Sequence, residues 1–277
     1  AGVPVFSEME VALAFCKAKE VVAITGTNGK TTTTALTAEI FLAARRKVLL
    51  CGNIGVPASE ILSKAGPRDV VVLESSSYQL EDSRAFHPTA AALLNITADH
   101  LDHHGSMAQY VAAKAKAFAQ LTPCDTAVFN ANDPLCMKIA RDTRARRLFF
   151  ASQGHGRVHA WTDEKSIFVR LQGAQIRRFT GPKLAGRHNL DNAMAAVLLA
   201  LSRGVKAAAI QKALTSFKGV EHRLENAATI KGLRCINDSK ATNVDSTLVA
   251  LRSFPEAEKN IFLILGGLHK GAPYTPL

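Results

Sequence analysis

Five short apolar runs recur in the first half of the chain: "EVVAIT" (20–25), "KVLLC" (47–51), "DVVVLE" (69–74), "AAALLNI" (90–96) and "TAVFNA" (126–131). They are near-continuously apolar and do not alternate with polar residues, so each reads as a strand covered on both faces. Helical patterns separate them, over about 31–44 and 107–119. Buried strands joined through helices make a parallel sheet with helices on either side, an α/β architecture. From about Arg147 to Thr180 the texture changes to short alternating runs, "SIFVRL" and "AQIRRF", with Gly-containing turns, which predicts a small antiparallel appendage. Helices are expected near 188–203 and 206–216. After Gly219 a second series starts: "LENAATI", "LRCIND", a helix near 245–253 and the apolar run "NIFLILGG". The stretch "SFKGVEH" breaks the preceding helix and marks a boundary at 217–221.

With 277 residues, 47% of them hydrophobic, the chain has enough apolar surface for a sizeable core. Its longest apolar stretches, "IFLILGG" (261–267) and "AMAAVLLAL" (193–201), fall short of the roughly 20 residues that a membrane span needs. The opening "AGVPVFSEME" lacks the charged start, apolar middle and cleavage site of a secretory signal. Five cysteines show no C-x-x-C pairing, which fits a reducing compartment, and a cytoplasmic protein is expected. The net charge of +11 is scattered, with short clusters at 44–47 and 144–148, and suits acidic small molecules. No stacking aromatics interleave those clusters, so no specific nucleic-acid partner is expected.

The chemistry concentrates at strand ends. "AITGTNGKTTTTA" (23–35) leads from a buried strand into a helix, where unpaired N–H groups and the positive end of the helix dipole attract anions. Within Gly26, Thr27, Asn28 and Gly29, the two glycines would let the backbone approach phosphate oxygens. Lys30 would neutralise the β and γ phosphates, and the Thr31 hydroxyl would reach Mg²⁺. Ile24 stands where the first glycine of the usual phosphate loop would fall, and a strand-to-helix turn capped by threonines would use the same residues. The flanking strand and helix favour the phosphate reading. Glu74, closing "DVVVLE", is placed to hold Mg²⁺ opposite the loop. "NITADHLDHHGSM" (95–107) first suggests zinc, but Asp99, His100, Asp102, His103 and His104 are near-consecutive and lack the i, i+4 pair or cysteines of common zinc sites. A Mg²⁺ ligand, His100, is the simpler reading, with the other histidines at the surface.

Together with "GNIGVP" (52–57), "ESSSYQLE" (74–81), "TADHLDHHGSMAQYVAAKAKAF" (97–118), "GRHNLDNAMAA" (186–196), "EHRLE" (221–225), "NDSKATNVDST" (237–247) and "GGLHKG" (266–271), the loop resembles the Mur ligases of peptidoglycan synthesis. "SSYQLE" with "DSKATN" points to the branch that adds D-glutamate; folylpolyglutamate synthases share the loop but not those two motifs. The resemblance implies a P-loop-type central ATPase domain over 19–218, preceded by a linker (1–18) from an N-terminal domain and followed by the start of a Rossmann-like ligase domain (219–277). It implies ATP and Mg²⁺ as cofactors, UDP-N-acetylmuramoyl-L-alanine and D-glutamate as substrates, and a monomer.

By resemblance, Lys30, Thr31 and Thr32 handle the ATP phosphates and metal, with Glu74 and His100 as metal ligands. Asn53, Ser76 and Gln79 line the nucleotide-sugar substrate. Lys114 matches a lysine that is carbamylated in the family and would join the metal as a carbamate; by itself it reads as an exposed helical lysine. Asn192 would meet the adenine, Arg223 the γ-phosphate, Asp238 the ribose side and Lys240 the phosphate region. Thr242 and Lys270 would meet D-glutamate. Lys30, His100, Lys114 and Arg223 form the expected catalytic set. The expected reaction is an ADP-forming amide ligation through an acyl phosphate, and the competing reading is an ATP-binding module without turnover.

Overall fold

The computed structural model describes residues 3–152, 158–171, 174–254, 260–267, 274–275 and 277. In chain order, α1 (Glu8–Ala14), β1 (Glu20–Thr25), α2 (Lys30–Ala43), β2 (Val48–Gly52), α3 (Ala58–Ile61), β3 (Val70–Glu74) and α4 (Ser77–Glu81) come first. Then follow β4 (Ala90–Leu93), α5 (Leu101–His104), α6 (Met107–Ala119), β5 (Thr126–Asn130), α7 (Pro134–Asp142) and β6 (Arg146–Ala151). β7 (Ala160–Thr162), β8 (Ser166–Val169), β9 (Arg177–Thr180), α8 (His188–Ser202) and α9 (Ala207–Ser216) complete the main body. β10 (Glu225–Ile230), β11 (Leu233–Asn237) and α10 (Val244–Arg252) follow.

The strands of the main body form one nine-stranded sheet in the order β2-β3-β1-β4-β5-β6-β7-β8-β9. Pairing is parallel from β2 through β7 and antiparallel from β7 to β9. The antiparallel appendage is therefore an extension of the sheet edge, and the parallel part runs further than its sequence texture suggests. β6 opens on the exposed pair Arg146 and Arg147, which hides its pairing with β5.

Side-chain alternation splits the interior into two layers. On one face Val22 and Ile24 of β1 pack with Leu36 and Ile40 of α2 and with α8. On the other, Val21 and Ala23 pack with Tyr110 and Phe118 of α6 and with Met9 and Ala12 of α1. α8 is apolar on nearly its whole circumference, as a helix enclosed by its neighbours must be. The segment before residue 19 contributes to this body: Glu10 of α1 accepts from the backbone N–H groups of Arg84 and Ala85.

β10 and β11 make a separate antiparallel hairpin. The expected strand at 260–267 is not formed: residues 261–266 have no strand assignment, and Phe262 and Ile264 are exposed. An apolar run becomes a strand only with a neighbour to pair with, and no such neighbour lies beside it among the described residues.

β1 lies between β3 and β4, so the chain winds away from it in both directions. Open α/β sheets bind ligands outside the carboxyl ends of strands at such a switch point. The segments leaving β1, β3 and β4 carry Gly26–Gly29, Glu74 and Asn95 to one place.

Candidate active site

The loop after β1 is held by backbone and amide contacts. The Thr27 N–H donates to the Asn95 carbonyl at 2.9 Å and the Asn28 N–H to Asn95 Oδ1 at 2.8 Å, while Asn95 Nδ2 donates to the Asn28 carbonyl at 3.0 Å. Thr27 Oγ1 lies 3.0 Å from the Tyr110 hydroxyl and accepts from the Thr97 N–H. Gly29 caps α2 in the left-handed region, φ 84°, and a Cβ there would lie 2.2 Å from Asn192 Oδ1. No side chain caps α2, so the first N–H groups of this 14-residue helix are available to an anion. Lys30 Nζ folds back over the loop, donating to the carbonyls of Gly26 at 3.0 Å and Thr27 at 2.8 Å.

Glu74 closes β3 beside Ile24 and is 2% exposed. Its Oε1 accepts from Asn53 Nδ2 at 2.9 Å, whereas Oε2 is buried with no hydrogen-bond partner. A buried carboxylate oxygen without a donor is costly unless a cation meets it, so this pair of lone pairs fits a metal ligand. Asn53 thus holds Glu74, directly and through its N–H to the Glu74 carbonyl at 2.9 Å.

Lys114 is not an exposed helical lysine: it is 1% exposed, donates from Nζ to the Gly26 carbonyl at 2.8 Å, and lies 4.6 Å from the Tyr110 ring centroid. Burial, reinforced by the Lys30 ammonium, pushes the Lys114 amine well below its ordinary pKa. Burial also lowers Lys30, with the Arg223 guanidinium acting the same way and the Glu74 and Asp99 carboxylates opposing.

His100 occupies the left-handed region, φ 53°, after Asp99, with Nδ1 3.2 Å from the Tyr78 hydroxyl and Nε2 3.5 Å from Asp99 Oδ2. Ser76 and Gln79 form the capping box of α4: Ser76 Oγ accepts from the Gln79 N–H, and Gln79 Oε1 accepts from the Ser76 N–H. Their polar groups are thus used to start that helix.

The second segment meets the first across a cavity of about 840 Å³ whose lining includes Asn28, Gly29, Thr31, Thr32, Asn192, Arg223 and Asp238. Arg223 stands between His222 and Leu224, both at positive φ (65° and 44°), and the Leu224 N–H donates to Asp238 Oδ1 at 3.1 Å. A leucine in that region is an outlier held by its surroundings, and here it fixes the turn that presents Arg223. Burial lowers the Arg223 guanidinium and raises the Asp238 carboxyl; each partly offsets the other's shift. Asn28 bridges the two segments, donating from Nδ2 to Asp245 Oδ2 at 2.8 Å and accepting from Ser246 Oγ at 2.8 Å. Lys240 and Thr242 are exposed and stand apart from the cavity lining. Lys270 lies outside the described residues.

Several participants lie inside the quoted motifs without having been singled out there. Asn95 clamps the loop, the Asp99 carboxylate acts on both Lys30 and Lys114, and Asp245 receives Asn28; the sequence cue for each is its place in a polar stretch after a buried strand or in the "NDSKATNVDST" turn. Asp191 also lines the cavity, with Oδ1 buried and unpartnered and its carboxyl pushed up to about 6, chiefly by burial. A raised carboxyl contributes stability that is complete below its unfolded value and lost as pH rises through the folded one. The substitution Asp191→Asn is therefore expected to stabilise the protein relative to the parent by about 2 kcal/mol more at pH 8 than at pH 4.5. Urea denaturation of both proteins at the two pH values checks this.

Comparison with known proteins follows the same outline. The family model described as "Mur ligase middle domain" matches residues 24–200. The UDP-N-acetylmuramoylalanine–D-glutamate ligase of Elusimicrobium minutum is 46% identical over 284 residues, covering 99% of this chain and 62% of that protein. The ligase of the same name from Pelotomaculum thermopropionicum is 44% identical over 275 residues, covering 99% of this chain and 60% of that protein. The crystal structure of MurF from Acinetobacter baumannii superposes with a TM-score of 0.69 at 25% identity, over 88% of this chain and 55% of that one. MurF from Thermotoga maritima, solved in complex with ADP, shares the fold with a TM-score of 0.67 at 21% identity, over 89% of this chain and 59% of that one. The chain spans about 60% of the length of the curated relatives it matches. With the loop, the switch-point sheet and the matched segment in agreement, the chain belongs to the Mur ligase family.

Proposed function

We propose that this chain carries the nucleotide-handling part of an ADP-forming ligase that joins D-glutamate to UDP-N-acetylmuramoyl-L-alanine. The observation that carries this reading is the convergence of Lys30, the half-paired Glu74 and Arg223, from three separate segments, on the anion-accepting end of α2. The names of the relatives support the choice of acceptor. Residues 19–218 would be the ATP-binding domain and 219–277 part of a second ligase domain, and the described residues contain no helix long and apolar enough to cross a membrane.

In this reading the α2 N–H groups and Lys30 hold the triphosphate tail, and Lys30 exchanges its two loop carbonyls for phosphate oxygens. Arg223, whose planar fork suits phosphate, neutralises the transferring group from the other side of the cavity. The carboxylate of the alanyl group takes the γ-phosphoryl to give an acyl phosphate and ADP. The D-glutamate amine then attacks the acyl carbon and phosphate leaves. Mg²⁺, when bound, supplies charge neutralisation at the phosphates; Glu74, Thr31 and His100 would hold it. Burial favours the uncharged form of the Lys114 amine, the form that adds CO₂ and releases one proton to give a carbamate, which would put an oxygen ligand where the amine stands. Asn192, against Gly29, would meet the base. Asn53 would serve through Glu74 as much as through substrate.

The test is ADP formation by this chain, and by a chain extended to the length of its relatives, with ATP, Mg²⁺ and both substrates, each omitted in turn. The expected result is tight nucleotide binding by both chains and ADP release by the extended one that requires both substrates. ADP release indifferent to D-glutamate, or absent from the extended folded chain, overturns the proposal.

A further inference from the structure

Outside the lining of the nucleotide cavity, a second group of donors comes together. Glu81 ends α4, and His103 and His104 end α5; one ligand atom from each lies within 4.8 Å of the other two. His103 Nε2 is 2.7 Å from Glu81 Oε2, and His104 Nδ1 is 3.5 Å from the same oxygen. This is the one such group of three His, Cys, Asp or Glu donors among the described residues. A groove opens over it, bordered also by Gln109 and Lys116.

His104 provides the independent observation. Its side chain is fully buried, 0% exposed, although the histidines of this stretch are expected at the surface. Nε2 is fixed 3.0 Å from Ser77 Oγ, while Nδ1 is buried and makes no hydrogen bond. With the proton on Nε2, the Nδ1 lone pair faces a carboxylate oxygen, a repulsive arrangement. With the proton on Nδ1, 3.5 Å is too long for a hydrogen bond. Either tautomer leaves a buried polar atom without its partner, and a cation between Nδ1 and Oε2 removes the conflict. The contact of the other ring nitrogen with Ser77 is the orienting bond that metal-bound histidines ordinarily have.

We propose that Glu81, His103 and His104 form a binding site for a divalent transition-metal ion of the zinc class, separate from the proposed Mg²⁺ site at Glu74 and His100. Two imidazoles with one carboxylate select such an ion over Mg²⁺ or Ca²⁺. Bonds of about 2.0–2.2 Å in a tetrahedron place donor atoms about 3.3–3.5 Å apart. The His104–Glu81 separation already matches. The His103 ring must withdraw by about 0.7 Å to reach that spacing, and it is free to do so because its side chain is 43% exposed. The open groove leaves the fourth position to solvent. Lys116, which donates to the Glu81 carbonyl from the same groove, opposes the ion's charge. The bound ion would tie α4 to α5 and so steady the turn that carries His100.

The test uses the whole chain in excess Mg²⁺, with Zn²⁺ titrated against a chromogenic chelator and Co²⁺ followed by its visible absorption. One Zn²⁺ per chain is expected at this site, with Co²⁺ bands of a four- or five-coordinate nitrogen–oxygen site. Glu81→Gln and His103→Asn each change an exposed side chain, and each is expected to weaken that ion by more than the about 10–100-fold that loss of an outer partner costs. Glu74→Gln leaves it unchanged. On the parent protein, one equivalent of Zn²⁺ is expected to shift the imidazole resonances of two histidines, which keeps the test independent of how the variants fold. No Zn²⁺ binding, binding unaltered in Glu81→Gln and His103→Asn, loss confined to Glu74→Gln, or unmoved histidine resonances each overturns the proposal.

Discussion

Lys30→Ala is expected to lower substrate-dependent ADP formation by at least about 10²–10³-fold, since it removes a preorganised cation from the group on which charge develops. Lys30 Nζ is bonded to the Gly26 and Thr27 carbonyls and so braces the loop from within. Gly26 keeps its second donor, Lys114, in the variant. The fold should therefore persist, with a loss of stability on the order of 1 kcal/mol for the hydrogen bonds removed. Lys30→Arg is expected not to restore turnover, because a longer planar fork presents its donors in a different geometry from the compact ammonium that moves from the loop carbonyls to the phosphates. Coupled-enzyme detection of ADP, beside thermal melting of each variant, separates loss of chemistry from loss of fold. A Lys30→Ala protein within tenfold of the parent would remove this residue from the proposed mechanism.

Gly52→Ala should be among the most destabilising single-methyl additions in the chain. Gly52 ends β2 at φ 101°, and a Cβ there would lie 2.3 Å from the Glu74 carbonyl oxygen. That oxygen is backbone and accepts the Asn53 N–H, so relief requires parting β2 from β3 at the register pair Gly52–Glu74. Dihedral strain of about 1–2 kcal/mol and overpacking of about 1–3 kcal/mol sum to roughly 2–5 kcal/mol. Gly55 is the matched control: it has φ 66° but nothing within 4 Å of its missing Cβ. Its alanine variant bears the dihedral strain alone. Denaturant midpoints for the two variants measure the difference, and equal losses would show that the contact with Glu74 yields freely. Because Glu74 sits on that register pair, Gly52→Ala should also weaken Mg²⁺-dependent nucleotide binding.

The parallel strands were legible because burial on both faces leaves a run of apolar residues that no other element of that length produces. β6 and α7 were less so. β6 begins on two exposed arginines, whereas α7 carried a usable signal, Asp133 capping with Pro134 at the first helical position. The apolar run at 260–267 shows the reverse failure, since composition does not say whether a pairing partner is available. At the site, the loop and Glu74 were readable from their position after strands. The burial of Lys114 was not: a lysine in "YVAAKAKAF" can face either way until the sheet is built, although resemblance to the Mur ligases singled it out. His104 was misjudged as a surface residue for the same reason, because Ser77 and Glu81 approach it only through the packing of α4 on α6. Asn95, Asp191 and Asp245 act through contacts with distant segments, and spacing along the chain holds no record of those.

Polar contacts tie α10 to the main body, and its apolar residues are at most half-buried. No residue of that helix is fully buried, and among the described residues its hydrogen bonds to the main body include Asn28 with Asp245 and Ser246, Thr97 with Asp245, and Asp99 with Asn243 at the helix cap. The Asn28–Asp245 bond joins positions 217 residues apart. Such contacts are gained only after the sheet exists, and water competes for each of them, so this helix docks last and undocks first. Amide protons of α10 will therefore exchange with solvent through partial opening, far sooner than those of the enclosed α8, whose release demands that the entire domain come apart.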